Sequence, residues 1–170
     1  DTVEGSLSVA AGINGVEGCA VLADETSSAN LRWANNTLPT NGVTRGRRLT
    51  VVATVNGARG VAAGVVSRSA VRRSELEDLV QAAADSAREN TPAQDAEPLV
   101  EPGAAGGAWD AVPAETSAAV FDGFVKSLGE QLAEAEGAGR LLFGYAEHDM
   151  TTTYLGSSTG LRLRHDQPSG

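Results

Sequence analysis

Two β-branched runs flank the dipeptide Asn56-Gly57: Arg48-Leu-Thr-Val-Val-Ala-Thr-Val55 before it, and residues 58–67, with Val61, Val65 and Val66, after it. An Asn-Gly link suits a type I′ turn, which needs positive φ at both central residues. The pattern therefore predicts a β-hairpin, with Gly60 and Gly64 marking bulges or close packing. A helix follows at once. Leu76, Leu79, Val80, Ala83 and Ala87 share one apolar stripe. Ser74 with Glu77 has the form of a capping box, and Pro92 predicts a stop near Asn90. A hairpin running into an amphipathic helix commits this stretch to a sheet with a helix packed on it.

The flanking segments extend the same plan. Val3, Leu7, Ala10 and Ala11 fall near helical spacing and stop at Asn14-Gly15. Residues 19–23 suit a buried strand. Residues 29–34 alternate Leu31 and Trp33 against Asn30 and Arg32, the mark of a half-buried strand. Asn35-Asn36 and Thr40-Asn41-Gly42 read as turns. Residues 91–113, with four prolines and Gly103, Gly106 and Gly107, predict a long irregular connection pinned by Leu99, Val100 and Trp109. A second amphipathic helix is expected over about 114–136, burying Val120, Phe121, Phe124, Val125, Leu128 and Leu132. Strands are expected over 140–146, 151–155 and 160–164, the first two joined by a turn at 147–150. The order predicts an α+β fold: a mixed, largely antiparallel sheet with amphipathic helices packed on one face.

The 170 residues fit a single domain. The chain begins at Asp1 and its one Met is Met150, so it is expected to be a piece of a longer protein, ending near a domain boundary at 167–170. No run approaches the eighteen apolar residues of a membrane span. One Cys, Cys19, excludes an intrachain disulfide and a thiolate zinc cage. Within residues 32–73 there are eight Arg and no Asp or Glu, although the net charge is −9. Such a block can face an acidic partner or nucleic acid, or decorate the outer side of a sheet whose helices supply the acids. The overall acidity and the lack of interleaved aromatics weigh against nucleic acid.

No catalytic constellation stands out. There is no His-Glu-x-x-His or His-Glu-x-x-x-His, no phosphate loop around Lys126, and no Gly-x-Ser-x-Gly elbow. His148 is expected in a solvated turn, His165 just beyond the last strand, and Cys19 as an inert buried thiol.

The segment Asn30-Leu-Arg-Trp-Ala-Asn-Asn-Thr-Leu-Pro-Thr-Asn-Gly42, the hairpin LTVVATVNGARGVAAGVVSR and the helix SELEDLVQAAADSAREN together resemble the N-terminal domain of the TldD/PmbA family, in particular its PmbA (TldE) type. The match is best over residues 19–90. The resemblance implies a longer cytoplasmic protein with a β-rich C-terminal domain. Members bear the name modulator of DNA gyrase. The TldD branch carries a zinc-binding His-Glu-x-x-x-His motif; the PmbA branch lacks it and joins TldD in a heterodimeric peptidase. For this chain the resemblance implies a noncatalytic domain that helps assemble subunits and enclose a peptide path. It implies no cofactor in the piece itself, zinc in the full-length protein or its partner, and a TldD-type subunit, or self-association, as partner. Candidate peptide or partner residues are Arg32, Trp33, Asn35, Asn36, Arg45, Arg47 and Arg48, with the strand at 31–36 and the hairpin at 49–67 as candidate edges for pairing with an extended peptide. The alternative is a regulatory module contacting gyrase or nucleic acid through residues 32–73.

Overall fold

A computed structural model describes residues 2–57, 59–103 and 108–170. The elements run α1 (Thr2–Gly12), β1 (Val16–Ala34), β2 (Thr37–Gly57), β3 (Gly60–Ser69), α2 (Leu76–Glu89), α3 (Asp122–Gly137), β4 (Gly144–Ser157) and β5 (Arg162–Ser169). The strands form one sheet in the order β3-β2-β1-β4-β5, so the fold is α+β as the sequence predicts. The chain divides into two compact units: Asp1–Glu25, Gly46–Val112 and Thr152–His165 in the first, and Thr26–Arg45, Pro113–Thr151 and Asp166–Gly170 in the second.

Several expected turns are strand instead. Residues 19–23 and 29–34 belong to the single strand β1, and β2 runs straight through Thr40-Asn41-Gly42. β4 likewise continues through 147–150, placing His148 in a strand, and β5 includes His165. Local turn chemistry at these positions yields to ladder bonding with the neighbouring strands. The hairpin exists, but its turn lies further on: Asn56 pairs with Val61 and Gly57 with Gly60. Asn56 and Gly57 are thus part of the strand ladder rather than the turn itself, and Ala58 lies outside the described residues. Gly106 and Gly107 of the long connection also lie outside them.

In the first unit, α1 and α2 cover one sheet face. Period-2 alternation sends Cys19, Val21 and Ala23 of β1 and Leu49, Val51 and Ala53 of β2 to that face. There they meet Val3, Leu7 and Ala10 of α1 and Leu76, Leu79, Val80, Ala83 and Ala84 of α2. Gly64 is where sheet and helix approach most closely. A Cβ there would run into the Ala83 carbonyl oxygen and the Ala87 nitrogen, both backbone atoms of α2. The cap of α2 differs from the expected one. A single 3-10 turn at Arg73–Glu75 precedes the helix, and the Arg72 N–H donates to Glu75 Oε2 (2.7 Å), so Glu75 rather than Ser74 satisfies the entry. On the other sheet face Leu99 lies over Gly18 and Thr54. Trp109 instead packs against the core on the helix side and meets Tyr154 edge-on, with ring centroids 5.4 Å apart. Both anchor the connection as expected, while Val100 contributes only its carbonyl, which accepts from Thr159 Oγ1.

The second unit has a thinner core. Ala29 and Leu31 of β1 pack against Phe121, Leu128 and Leu132, with Trp33, Leu142 and Ala146 at the margin. α3 starts at Asp122 after a 3-10 turn at Ala118–Phe121, later than expected. Its buried stripe is also narrower. Val120, Phe124 and Val125 were expected inside and are 38–47% exposed, because one helix on a narrow ribbon can bury only the i, i+4 row that faces it.

Candidate functional site: the β1–β2 ribbon

Within the second unit, β1 and β2 form a ribbon closed by Asn35 and Asn36. Both residues have positive φ (51° and 57°), the geometry of a type I′ turn, which Asn adopts more readily than most residues. Asn36 does more than turn the chain. Its Oδ1 accepts from the Leu142 N–H (2.7 Å) and its Nδ2 donates to the Arg140 carbonyl (2.8 Å). It thereby fixes the segment entering β4 beside β1. Asn35 is exposed at the tip. Trp33 is half-buried: its ring lies 5.7 Å from Phe124 and fills the space over Gly144, where a Cβ would collide with the indole. It is a packing residue first. Arg32 is exposed on the opposite side of the ribbon.

The arginines do not form one site. Arg32 and Arg45 belong to the second unit, Arg47 and Arg48 to the first. Arg45 pairs with Glu115 (2.7 Å) and Arg47 with Glu25 (3.2 Å), so part of the basic block is matched by the acids that the sequence lacks locally. Arg48 is exposed and pairs in register with Ser69.

Of the candidate pairing edges, residues 31–36 are interior, since β1 lies between β2 and β4. The register of β3 on β2 begins at Arg48. Residues 37–45 of β2 therefore have no strand on their outer edge among the described residues. Leu38 and Val43 there are 41% and 42% exposed. This open edge was hidden in the sequence because Thr40-Asn41-Gly42 resembles a turn.

A second feature is a polar post in the same unit. The Thr116 N–H donates to Ser27 Oγ (3.1 Å), and Thr116 Oγ1 shares a hydrogen bond with His148 Nδ1 (2.8 Å). It ties the entry to α3 onto the sheet. In the first unit burial pushes the Cys19 thiol up to about 11, which keeps it protonated at neutral pH. Among the described residues no group of three or more His, Cys, Asp and Glu side chains could hold a metal ion. No described helix is long and apolar enough to cross a membrane.

The architecture is that of an α+β domain with an open-edged ribbon. No family model and no curated protein matches the sequence. The fold does have solved counterparts. TldE from Thermococcus kodakarensis superposes with a TM-score of 0.69 at 13% identity, over 99% of this chain and 37% of that one. Proposed modulators of DNA gyrase from Bacteroides thetaiotaomicron (TM-score 0.60, 14% identity) and Thermotoga maritima (0.62, 13%) match over 98% of this chain and 38% and 37% of theirs. The chain thus has the fold of a part of TldE and of these proteins, and spans little more than a third of their length. The TldD/PmbA resemblance of the sequence holds at the level of the fold.

Proposed function

We propose that this chain is a noncatalytic domain of a TldD/PmbA-like peptidase assembly, helping to join subunits and to enclose the path of a peptide. The fold likeness to TldE over 99% of the chain carries the reading. The open outer edge of residues 37–45 supports the peptide-facing part of it. Main-chain N–H and C=O groups on such an edge bind an extended chain with little regard to sequence, which is what a peptidase acting on varied peptides requires. The partner is a TldD-type subunit, which would supply the zinc and the hydrolytic chemistry. The setting is the cytoplasm. The gyrase or nucleic-acid reading has less support: the basic block is split between two units, and Arg45 and Arg47 are ion-paired.

The test is a titration of the isotopically labelled chain with an unstructured peptide, alongside light scattering of the chain mixed with a TldD-type subunit. Amide resonances of residues 37–45 are expected to shift, and a complex of defined mass is expected to form. Unmoved edge resonances remove the peptide role, and the absence of a complex removes the assembly role.

A further inference from the structure

Along the entry to β4 in the second unit, side chains alternate between two environments. Leu142 and Ala146 pack under α3, and Gly144 backs onto Trp33. The intervening residues point to the other face. Leu141, Phe143 and Tyr145 are 62%, 63% and 55% exposed. Such a succession of large apolar side chains on one face is what marks interaction surfaces. The same row continues into Glu147 and Asp149, so five side chains span roughly 27 Å of near-extended chain.

The acidic end is a distinct, independent feature. The Tyr145 hydroxyl donates to Glu147 Oε1 (2.8 Å). This bond, together with the nearby Glu147 and Asp149 charges, holds the Tyr145 hydroxyl above the ordinary phenol range. Asp149 Oδ1 is shut off from solvent and accepts no hydrogen bond from any described residue. A carboxylate oxygen in that state is stabilised most by a charged donor. Around it the second unit carries eight acidic side chains against four basic ones. Of the four, Arg32 shares the strip's face, because its neighbours Leu31 and Trp33 face α3. Trp33 lies over Gly144 and Thr26 meets Thr151, and counting along this antiparallel pair places Arg32 beside Tyr145.

We propose that this face of β4 is a docking strip for an extended protein segment in which alternate apolar residues are followed by Lys or Arg. The apolar residues cover Leu141, Phe143 and Tyr145, and the cation pairs with the exposed Glu147 carboxylate and the charge of the partly exposed Asp149 beside it. Arg32 fixes the direction, since it repels a cation placed at the aromatic end. A second copy of the chain fits poorly, because a two-fold pairing of the strip would press its carboxylates onto its own apolar end. Nucleic acid fits poorly because the acids repel phosphate. The assignment is independent of any peptidase role.

The probes are the capped peptides LTFTLTRTR and its reverse RTRTLTFTL, titrated into the labelled chain at about 50 mM salt, where charge pairing is only partly screened. At least one is expected to bind and to shift the amides of residues 141–149. Replacing both Arg by Glu in the bound peptide, the double substitution Glu147→Gln and Asp149→Asn, and Phe143→Ser are each expected to weaken binding at least ~tenfold, as loss of a charged hydrogen bond or a buried aromatic does. All three substituted residues lie on the surface strip rather than in the core, so the variants fold. The proposal is overturned if neither peptide binds at millimolar concentration, or if the Glu version binds equally well. It is also overturned if the shifts map elsewhere, if Phe143→Ser instead abolishes self-association of the chain, or if a single-stranded oligonucleotide takes the strip in preference to the peptides.

Discussion

The two units use the same strand chemistry to different ends. The first closes its sheet face with two helices, and Val3, Val21, Val51, Leu79 and Val80 are at most 1% exposed. The second lays a single helix on its ribbon. It leaves Phe124 and Val125 of α3 partly uncovered, and Leu141, Phe143 and Tyr145 more so on the other face. The contrast separates a part held together by burial from a part that leaves large apolar side chains exposed. Each unit contains one Trp: Trp109 in the first, packed on Tyr154, and Trp33 in the second, packed on Phe124. Single-Trp variants therefore report on each unit separately.

The largest expected effect lies where helix and sheet touch through backbone. Gly64→Val places side-chain atoms where Ala83 and Ala87 of α2 already stand, and backbone cannot swing aside as a side chain can. We expect a loss of about 4 kcal/mol, at the high end for overpacking, because relief requires α2 to leave the sheet. The urea midpoint seen by Trp109 measures it. A loss below ~1 kcal/mol would mean that α2 is not locked to β3, and the first unit would lose its claim to be the rigid one.

A matched pair of truncations comes next. Leu79→Ala in the first unit removes a fully buried side chain and should cost about 3 kcal/mol. Phe124→Ala in the second removes a larger one that is 41% exposed. It should cost only about 1 kcal/mol by Trp33, well short of the 3–5 kcal/mol typical of a core Phe. Equal losses would show that the outer face of α3 is already covered, and would break the comparison.

The sequence made the first unit more legible than the second. Helix α2, its stripe and its stop follow directly from period and punctuation, because Leu76, Leu79, Val80 and Ala83 face one deep core and Ala87 continues the stripe onto Val55 and Ala62. The pattern misled where the core is shallow. Val120, Phe124 and Val125 have the spacing of buried residues, but burial depends on what lies opposite, and a ribbon offers little. Turn residues misled in the same way. Thr40-Asn41-Gly42 and residues 147–150 have turn composition yet lie in long strands, since cross-strand pairing overrides weak local preference. The candidate surface is only partly legible: the sequence points to Arg32, Asn35 and Asn36, but Asn36 is a clamp on residues 140–142. The strip of Leu141, Phe143 and Tyr145 was unreadable, because which half of an alternating run faces out depends on where α3 sits.

The smallest effect distinguishes the two units by their ion pairs. In the first, Arg162 holds Glu4 with two bonds (2.6 and 2.9 Å) and also donates to the Ser157 and Leu161 carbonyls. The hydrogen bond from Arg162 pulls the Glu4 carboxyl below its usual range, opposed by burial and aided by the Arg162 charge and the N-terminus. A carboxyl lowered in the folded state adds stability above its unfolded value of about 4.3, and that stability is lost as pH falls through the lower folded value. Both side chains are partly exposed (27% and 49%), so the contribution stays below ~1 kcal/mol. In the second unit, Arg45 and Glu115 are 67% and 56% exposed and are worth at most a few tenths of a kcal/mol. Glu4→Gln should therefore lower the Trp109-reported midpoint at pH 7, and the gap from the parent chain should close in acid, as pH falls through the lowered Glu4 value and the carboxyl takes up its proton. Glu115→Gln should leave the Trp33-reported midpoint unchanged at both pH values. A gap for Glu4→Gln that persists undiminished at low pH would assign its effect to packing rather than charge.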